Sequence, residues 1–226
     1  MKPTSPLAKG STVRATLDYL QAVHGPGMQA SILDALGAPL RERLSSVEPT
    51  TELSYDDLLT LWRAADVALQ QVDPQWMERS GAFSIESTGV QFYSGILRKR
   101  SPHEFLTQSV SLFRLYYSPG DMEVVEEESA RAVLRLWGFD SRDVLFCRRQ
   151  TGGLRCALGL AGGVAARVRH VRCVHEGDAF CEWELAWQPE GAVPASVSSD
   201  SSRFAKGEKD SGNTSDDGDD EGLSQG

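Results

Sequence analysis

Apolar residues recur at helical spacing through the first half of the chain and at alternate positions through much of the second. Val13, Leu17, Leu20 and His24 make one stripe of a helix that Ser11 can cap and Gly25-Pro26-Gly27 stops. A shorter helix is predicted over residues 28–36, ahead of Gly37 and Pro39. Ser54 followed by Asp57 has the form of an N-terminal cap. Leu58, Leu61, Trp62, Ala65 and Leu69 then fall on one helix face. Pro74 opens a further helical stretch, continued over residues 82–98 with interruptions at Gly89 and Gly95. Ser101-Pro102-His103-Glu104 supplies a cap, a proline at the first helical position and an acid in the first turn, before the stripe Leu106, Val110, Phe113 and Tyr117.

Beyond Gly120 the period drops to two. Strands are predicted over residues 122–127 and 130–137, then a helix over 140–160 that carries Cys147 and Cys156. Residues 164–174 and 179–187 read as a hairpin turning at His175-Glu176-Gly177-Asp178. In its second strand Cys181, Trp183, Leu185 and Trp187 share one face, and Glu182 and Glu184 take the other. Helices followed by an antiparallel sheet indicate an α+β fold, with N-terminal helices packed on the sheet and a C-terminal helix-plus-hairpin unit. Residues 10–187 are expected to form that single domain. Residues 1–9 read as a flexible arm, and the Ser-, Gly- and Asp-rich residues 188–226 as an acidic disordered tail.

Charge sharpens this division. The 226 residues carry a net charge of -9, and residues 188–226 hold nine acids against three bases, so the body is nearly neutral. Such a chain lacks the cationic surface that displaces counterions from nucleic acid. The longest weakly polar stretch, residues 157–166, is broken by three glycines, whereas a bilayer span takes roughly 20 apolar residues. No basic–apolar leader opens the chain, and a cytoplasmic, membrane-free location is expected.

The common enzyme signatures G-x-S-x-G, the P-loop, G-x-G-x-x-G and H-E-x-x-H are missing, and Glu126, Glu127 and Glu128 splay around a strand end. The chain therefore reads as non-enzymatic. Seven arginines between Arg142 and Arg172 face a single acid, Asp143. They suit an acidic partner or the chain's own tail, set against the plainer reading of a solvated face. Trp62, Phe83, Phe92, Tyr93, Phe105, Phe113, Tyr116 and Tyr117 either line a pocket for a small apolar ligand or fill an ordinary core.

Chemistry concentrates in the cysteines. Cys173 and Cys181 stand on adjoining strands of the predicted hairpin, spaced Cys-x7-Cys, with His170 three residues earlier and Cys147 on the preceding helix. Three thiols and an imidazole form a soft set suited to tetrahedral, structural Zn²⁺. On an unbroken strand His170 and Cys173 face opposite sides, so both reach one ion only across a bulge or twist. Buried thiols acting as apolar filler, or a Cys173–Cys181 disulfide, are the alternatives.

The segment from Cys147 to Trp187, ending in Arg172-Cys173-Val174-His175-Glu176-Gly177-Asp178-Ala179-Phe180-Cys181-Glu182-Trp183, resembles the C-terminal part of the 4-vinyl reductase-like small-molecule-binding domain. That superfamily includes phenol-sensor N-terminal domains and is similar to Golgi transport subunits. Its phenol sensors hold zinc through Cys-x22-Glu-x2-Cys-x7-Cys, a spacing met here by Cys147, His170, Cys173 and Cys181, with His170 in the place of Glu. His175, Glu176 or water are the other candidates for that fourth position. Residues 10–187 also resemble a myxobacterial family of paralogous proteins of unknown function, through Gly10-Ser11-Thr12-Val13, the Phe105 to Tyr117 segment and the Cys-x7-Cys hairpin. These resemblances imply a regulatory sensor module with structural zinc and a small apolar ligand, homodimeric and signalling through a protein partner. A protein-only adaptor is the alternative, and a reductase-like enzyme the third reading.

Overall fold

Leu7–Lys9 forms a strand (β1) that pairs antiparallel with Glu52–Ser54 (β2) on one side and Tyr117–Ser118 (β3) on the other. Leu7, Ala8 and Lys9, expected within a flexible arm, spend their backbone groups on this small sheet, and residues 1–4 of that arm lie outside the described residues. The computed structural model describes residues 5–89 and 101–188, all of which belong to one unit spanning residues 1–192. Gln188 ends the last strand, and the rest of the expected acidic tail lies outside the described residues.

Helix α1 (Gly10–Tyr19) continues into a π-helical turn, Leu20–His24, and Val13 and Leu20 are fully buried as their spacing predicts. Helices α2 (Pro26–Asp34) and α3 (Ala38–Ser45) follow. Ser54 caps α4 (Tyr55–Leu69) by accepting the Asp56 N–H, and Leu58, Leu61, Trp62, Ala65 and Leu69 all point inward. Helix α5 (Trp76–Ser84) passes into a second π-helical turn, Ile85–Gly89, so the helix expected over residues 82–98 is described only to Gly89. Ser101 caps α6 (Pro102–Tyr116), accepting the Glu104 N–H.

The larger sheet is antiparallel, in the order β4 (Asp121–Glu128), β5 (Arg131–Trp137), β7 (Cys181–Gln188), β6 (Val164–Arg172). Helix α7 (Val144–Leu160) runs between β5 and β6 in sequence and lies along α5. The architecture is α+β, helices with antiparallel sheets, as the pattern of periods predicts. Helix α3 and the small sheet were not anticipated.

Candidate functional site

A cavity of about 90 Å³ opens between α1, α5, α6 and α7, at the start of β4. Ala15, Ile85, Phe105, Phe113, Met122 and Leu154 give it apolar walls. Of the aromatics left open between pocket and core, Phe105, Phe113, Tyr116 and Tyr117 line it, whereas Trp62 is core and Phe83 packs edge-on against Tyr19. Phe92 and Tyr93 lie outside the described residues.

Among the described residues one cation faces this cavity. Arg149, on α7, is 4 % exposed and lines the wall. Its guanidinium donates to Ser80 Oγ at 2.5 Å, meets the Tyr117 hydroxyl and lies over the Trp62 ring at 5.5 Å. Among the described residues no carboxylate pairs with it. Burial lowers its pKa and the phenols of Tyr117 and Tyr116 oppose that fall, but a guanidinium keeps its proton at neutral pH. Burial likewise raises the Tyr117 phenol, against the pull of Arg149 and Thr12, so it stays neutral.

Arg149 belongs to the arginine patch, for which the sequence offers an acidic partner, the chain's own tail or a solvated face, and the structure places it at none of these but against the cavity. The signal that places it inward is its position four residues after Leu145 and three after Phe146, on the buried stripe of α7. The rest of the patch is largely spoken for within the fold. Arg142 contacts Asp56 and Asp140, Arg148 contacts Glu78 and Asp66, Arg169 contacts Glu184 and Arg172 contacts Glu182. Those acids offset the local charge that an acidic partner or the tail would have needed.

The second cluster joins α7 to the β6–β7 hairpin. Ligand atoms of Cys147, His170, Cys173 and Cys181 all lie within 4.8 Å of one another, and the Cys147 and Cys181 sulfurs are 3.6 Å apart. The register slips between His170 and Arg172, which is the bulge needed to bring His170 and Cys173 to one side. Beyond it a 3₁₀ turn, Val174–Glu176, and left-handed Gly177 reverse the chain, held by the Cys173 N–H donating to Asp178 at 2.8 Å. All four cysteines are free thiols. The hydrogen bond from Cys147 pulls the Cys181 thiol down, helped by His170, and the same bond with burial pushes Cys147 up. His170 stacks on Trp183 at 4.8 Å, and its buried Nε2 has no hydrogen-bond partner among the described residues. Of the other candidates for the fourth position, His175 instead meets Ser141 Oγ at 2.8 Å.

No protein-family model matches the chain, and no curated protein does. Solved structures do match it. The Fe(II) unliganded H-NOX protein from K. algicida is 14 % identical with a TM-score of 0.62, over 82 % of this chain and 99 % of that one. A point mutant of T. tengcongensis H-NOX gives 14 % and 0.63, over 80 % and 99 %. A Cs H-NOX mutant gives 13 % and 0.63, over 80 % and 98 %. At such identities the likeness carries the fold alone. Related H-NOX structures of similar fold concern haem distortion and haem redox potential.

These neighbours correct two expectations. The resemblance to 4-vinyl reductase-like domains, and with it the myxobacterial kinship, is replaced by likeness to H-NOX domains. The group associated with those domains is haem, so structural Zn²⁺ is not retained as the cofactor. The physical reason is that the decisive spacing is local. Two residues eight steps apart on the arms of a hairpin are held near one another by the turn alone, and that nearness does not identify the fold around it.

Proposed function

We propose that residues 10–187 form a non-enzymatic, small-molecule sensor domain of the H-NOX fold, cytoplasmic and passing its signal to a protein partner. The observation that carries this reading is the cavity, walled by aromatic and aliphatic side chains from four helices and fixed on one side by a few convergent polar groups. A ligand seated there touches α1, α5, α6 and α7 together, so its arrival bears on the packing of the whole helical layer. Homodimerisation is a further part of this proposal.

Haem does not fit the residues present. Haem iron takes an axial His, Cys, Met or Tyr; none of the four histidines lines the cavity, and of the other donor types there, Met122, Tyr116 and Tyr117, the Tyr117 phenol is held neutral by burial and engaged with Arg149 and Thr12. His24 sits against Asp73 and Tyr19, His103 against Glu127 and Trp187, His170 in the thiol cluster and His175 on Ser141. No cysteine lines it either. Its volume is also well below the roughly 300 Å³ at which pockets for drug-sized ligands begin. The sensing reading therefore proceeds through a smaller ligand.

Native mass spectrometry of freshly purified full chain tests the proposal. A stoichiometric retained small molecule, or one taken up from a panel of small apolar and amphiphilic compounds, is the expected result. A chain that is empty and takes up none of them overturns the reading and favours the protein-only adaptor.

Separately, we propose Cys147, His170, Cys173 and Cys181 as one ligand set for a soft divalent ion, supported by the convergence of their ligand atoms and the unpartnered His170 Nε2. Elemental analysis under reducing, chelator-free conditions is expected to find a transition metal that Cys173→Ser removes. Content near zero in the unmodified chain overturns it.

A further inference from the structure

Arg149 carries a charge that the described protein does not neutralise. Its partners on the cavity wall are the neutral oxygens of Ser80 and Tyr117 and the π-face of Trp62. Acids stand close by in the fold, but Glu78 on α5 and Asp66 on α4 both serve Arg148, the adjacent residue. Of the residues whose side chains lie outside the description, 1–4, 88–100 and 108–112 include no Asp or Glu, and the nine acids of 189–226 follow the last strand in sequence. An uncompensated buried ion is costly even after relaxation, so a chain that keeps one at a cavity wall gains when an anion arrives there. Among the described residues no second charge lines the cavity, whose apolar walls include Phe105, Phe113, Met122 and Leu154.

The geometry points to this cavity as a binding site for a small organic carboxylate, its head on the Arg149 guanidinium and its compact apolar body against the aromatic wall. The planar guanidinium fork matches a carboxylate with two parallel N–H···O bonds, where a lysine offers only a point charge. Thr12 and the neutral Tyr117 hydroxyl sit beside the head and supply uncharged polar company without repelling it. This assignment rests on the reading of the cavity as a ligand site and narrows the ligand to an anion.

Titration calorimetry and thermal shift on the full chain test it, using butyrate and benzoate, their neutral counterparts butanol and benzyl alcohol, and inorganic phosphate. Both acids are expected to bind about tenfold or more tighter than the matching alcohols, the difference a charge-assisted hydrogen bond supplies. Arg149→Met should bring acid and alcohol to within about twofold, while Arg149→Lys, which keeps the charge should Met disturb the fold, should retain a weakened preference for the acid. Equal binding of acids and alcohols, an unchanged preference in Arg149→Met, no response to either acid, or phosphate binding as tightly as benzoate each overturns the assignment. A retained neutral ligand in the native mass spectrum beside any of those results would leave the sensor reading standing and remove only the anion.

Discussion

Two glycines allow α5 and α7 to meet backbone to backbone. A Cβ at Gly152 would stand 1.9 Å from the Glu78 carbonyl oxygen, and one at Gly81 would stand 2.1 Å from that of Arg149. Neither clash involves a side chain that can swing away. Alanine normally gains about 1 kcal/mol over glycine inside a helix, so the sign rests on whether the helices can part. They are fixed on both flanks, by Arg148 with Glu78 and by Arg149 with Ser80. Gly152→Ala is therefore expected to destabilise the chain by roughly 3 kcal/mol, at the upper end of overpacking costs, measured by urea denaturation. Gly153→Ala is the control, since its Cβ would meet nothing nearer than 3.6 Å and should be neutral or slightly stabilising. Similar values for the two variants would contradict the contact that sets Arg149 against the cavity.

Between elements, the β6–β7 pairing sets Arg169 opposite Glu184, and Arg131 reaches the same carboxylate from β5. The Arg169 hydrogen bond, followed by Arg131, holds the Glu184 pKa below its ordinary value. A depressed folded pKa contributes stability that is complete above the unfolded value near 4.5 and fades as pH falls through the folded one. Arg169→Ala should raise the Glu184 midpoint in a side-chain NMR titration and slightly reduce stability at pH 7, with the difference vanishing in acid. A midpoint that stays put would remove the pair from the register. This hairpin was legible because alternation over eight residues cannot be satisfied by a helix. Likewise α4 and α6 carried caps and long stripes. The small sheet was not legible, since three-residue strands have no period to detect, and α3 buries only Leu44 and so shows no stripe. For the candidate site, the thiol spacing stood out while Arg149 did not, because an arginine on a buried stripe is read by residue type before position.

At the scale of the whole molecule, the question is whether the helical layer and the sheet melt together. Tyr55 is the joint between them. It is fully buried at the start of α4, and its ring meets Trp62, Tyr117, Phe139 and Phe146 at 5.1–6.4 Å, partners drawn from α4, β3, the β5–α7 connection and α7. Its hydroxyl donates to the Ser141 carbonyl at 2.9 Å, a bond spanning 86 residues of sequence, and burial pushes the phenol well above its ordinary pKa, so the donor persists through alkaline pH. Tyr55→Phe keeps the packing and removes only that donor, leaving the Ser141 carbonyl with the Asp143 N–H as its remaining partner. The expected loss is about 1 kcal/mol, the net contribution of one hydrogen bond. Because the severed bond ties the N-terminal helices to the loop that launches α7, the two layers should still lose structure in one step. Helical ellipticity and tryptophan fluorescence should therefore give coincident denaturation curves in both proteins, displaced together in the variant. If the variant's ellipticity moved while its fluorescence did not, the aromatic joint would be a local contact and residues 10–187 would not act as one cooperative domain. A ligand held between α1, α5, α6 and α7 would then have no route to the sheet through this core.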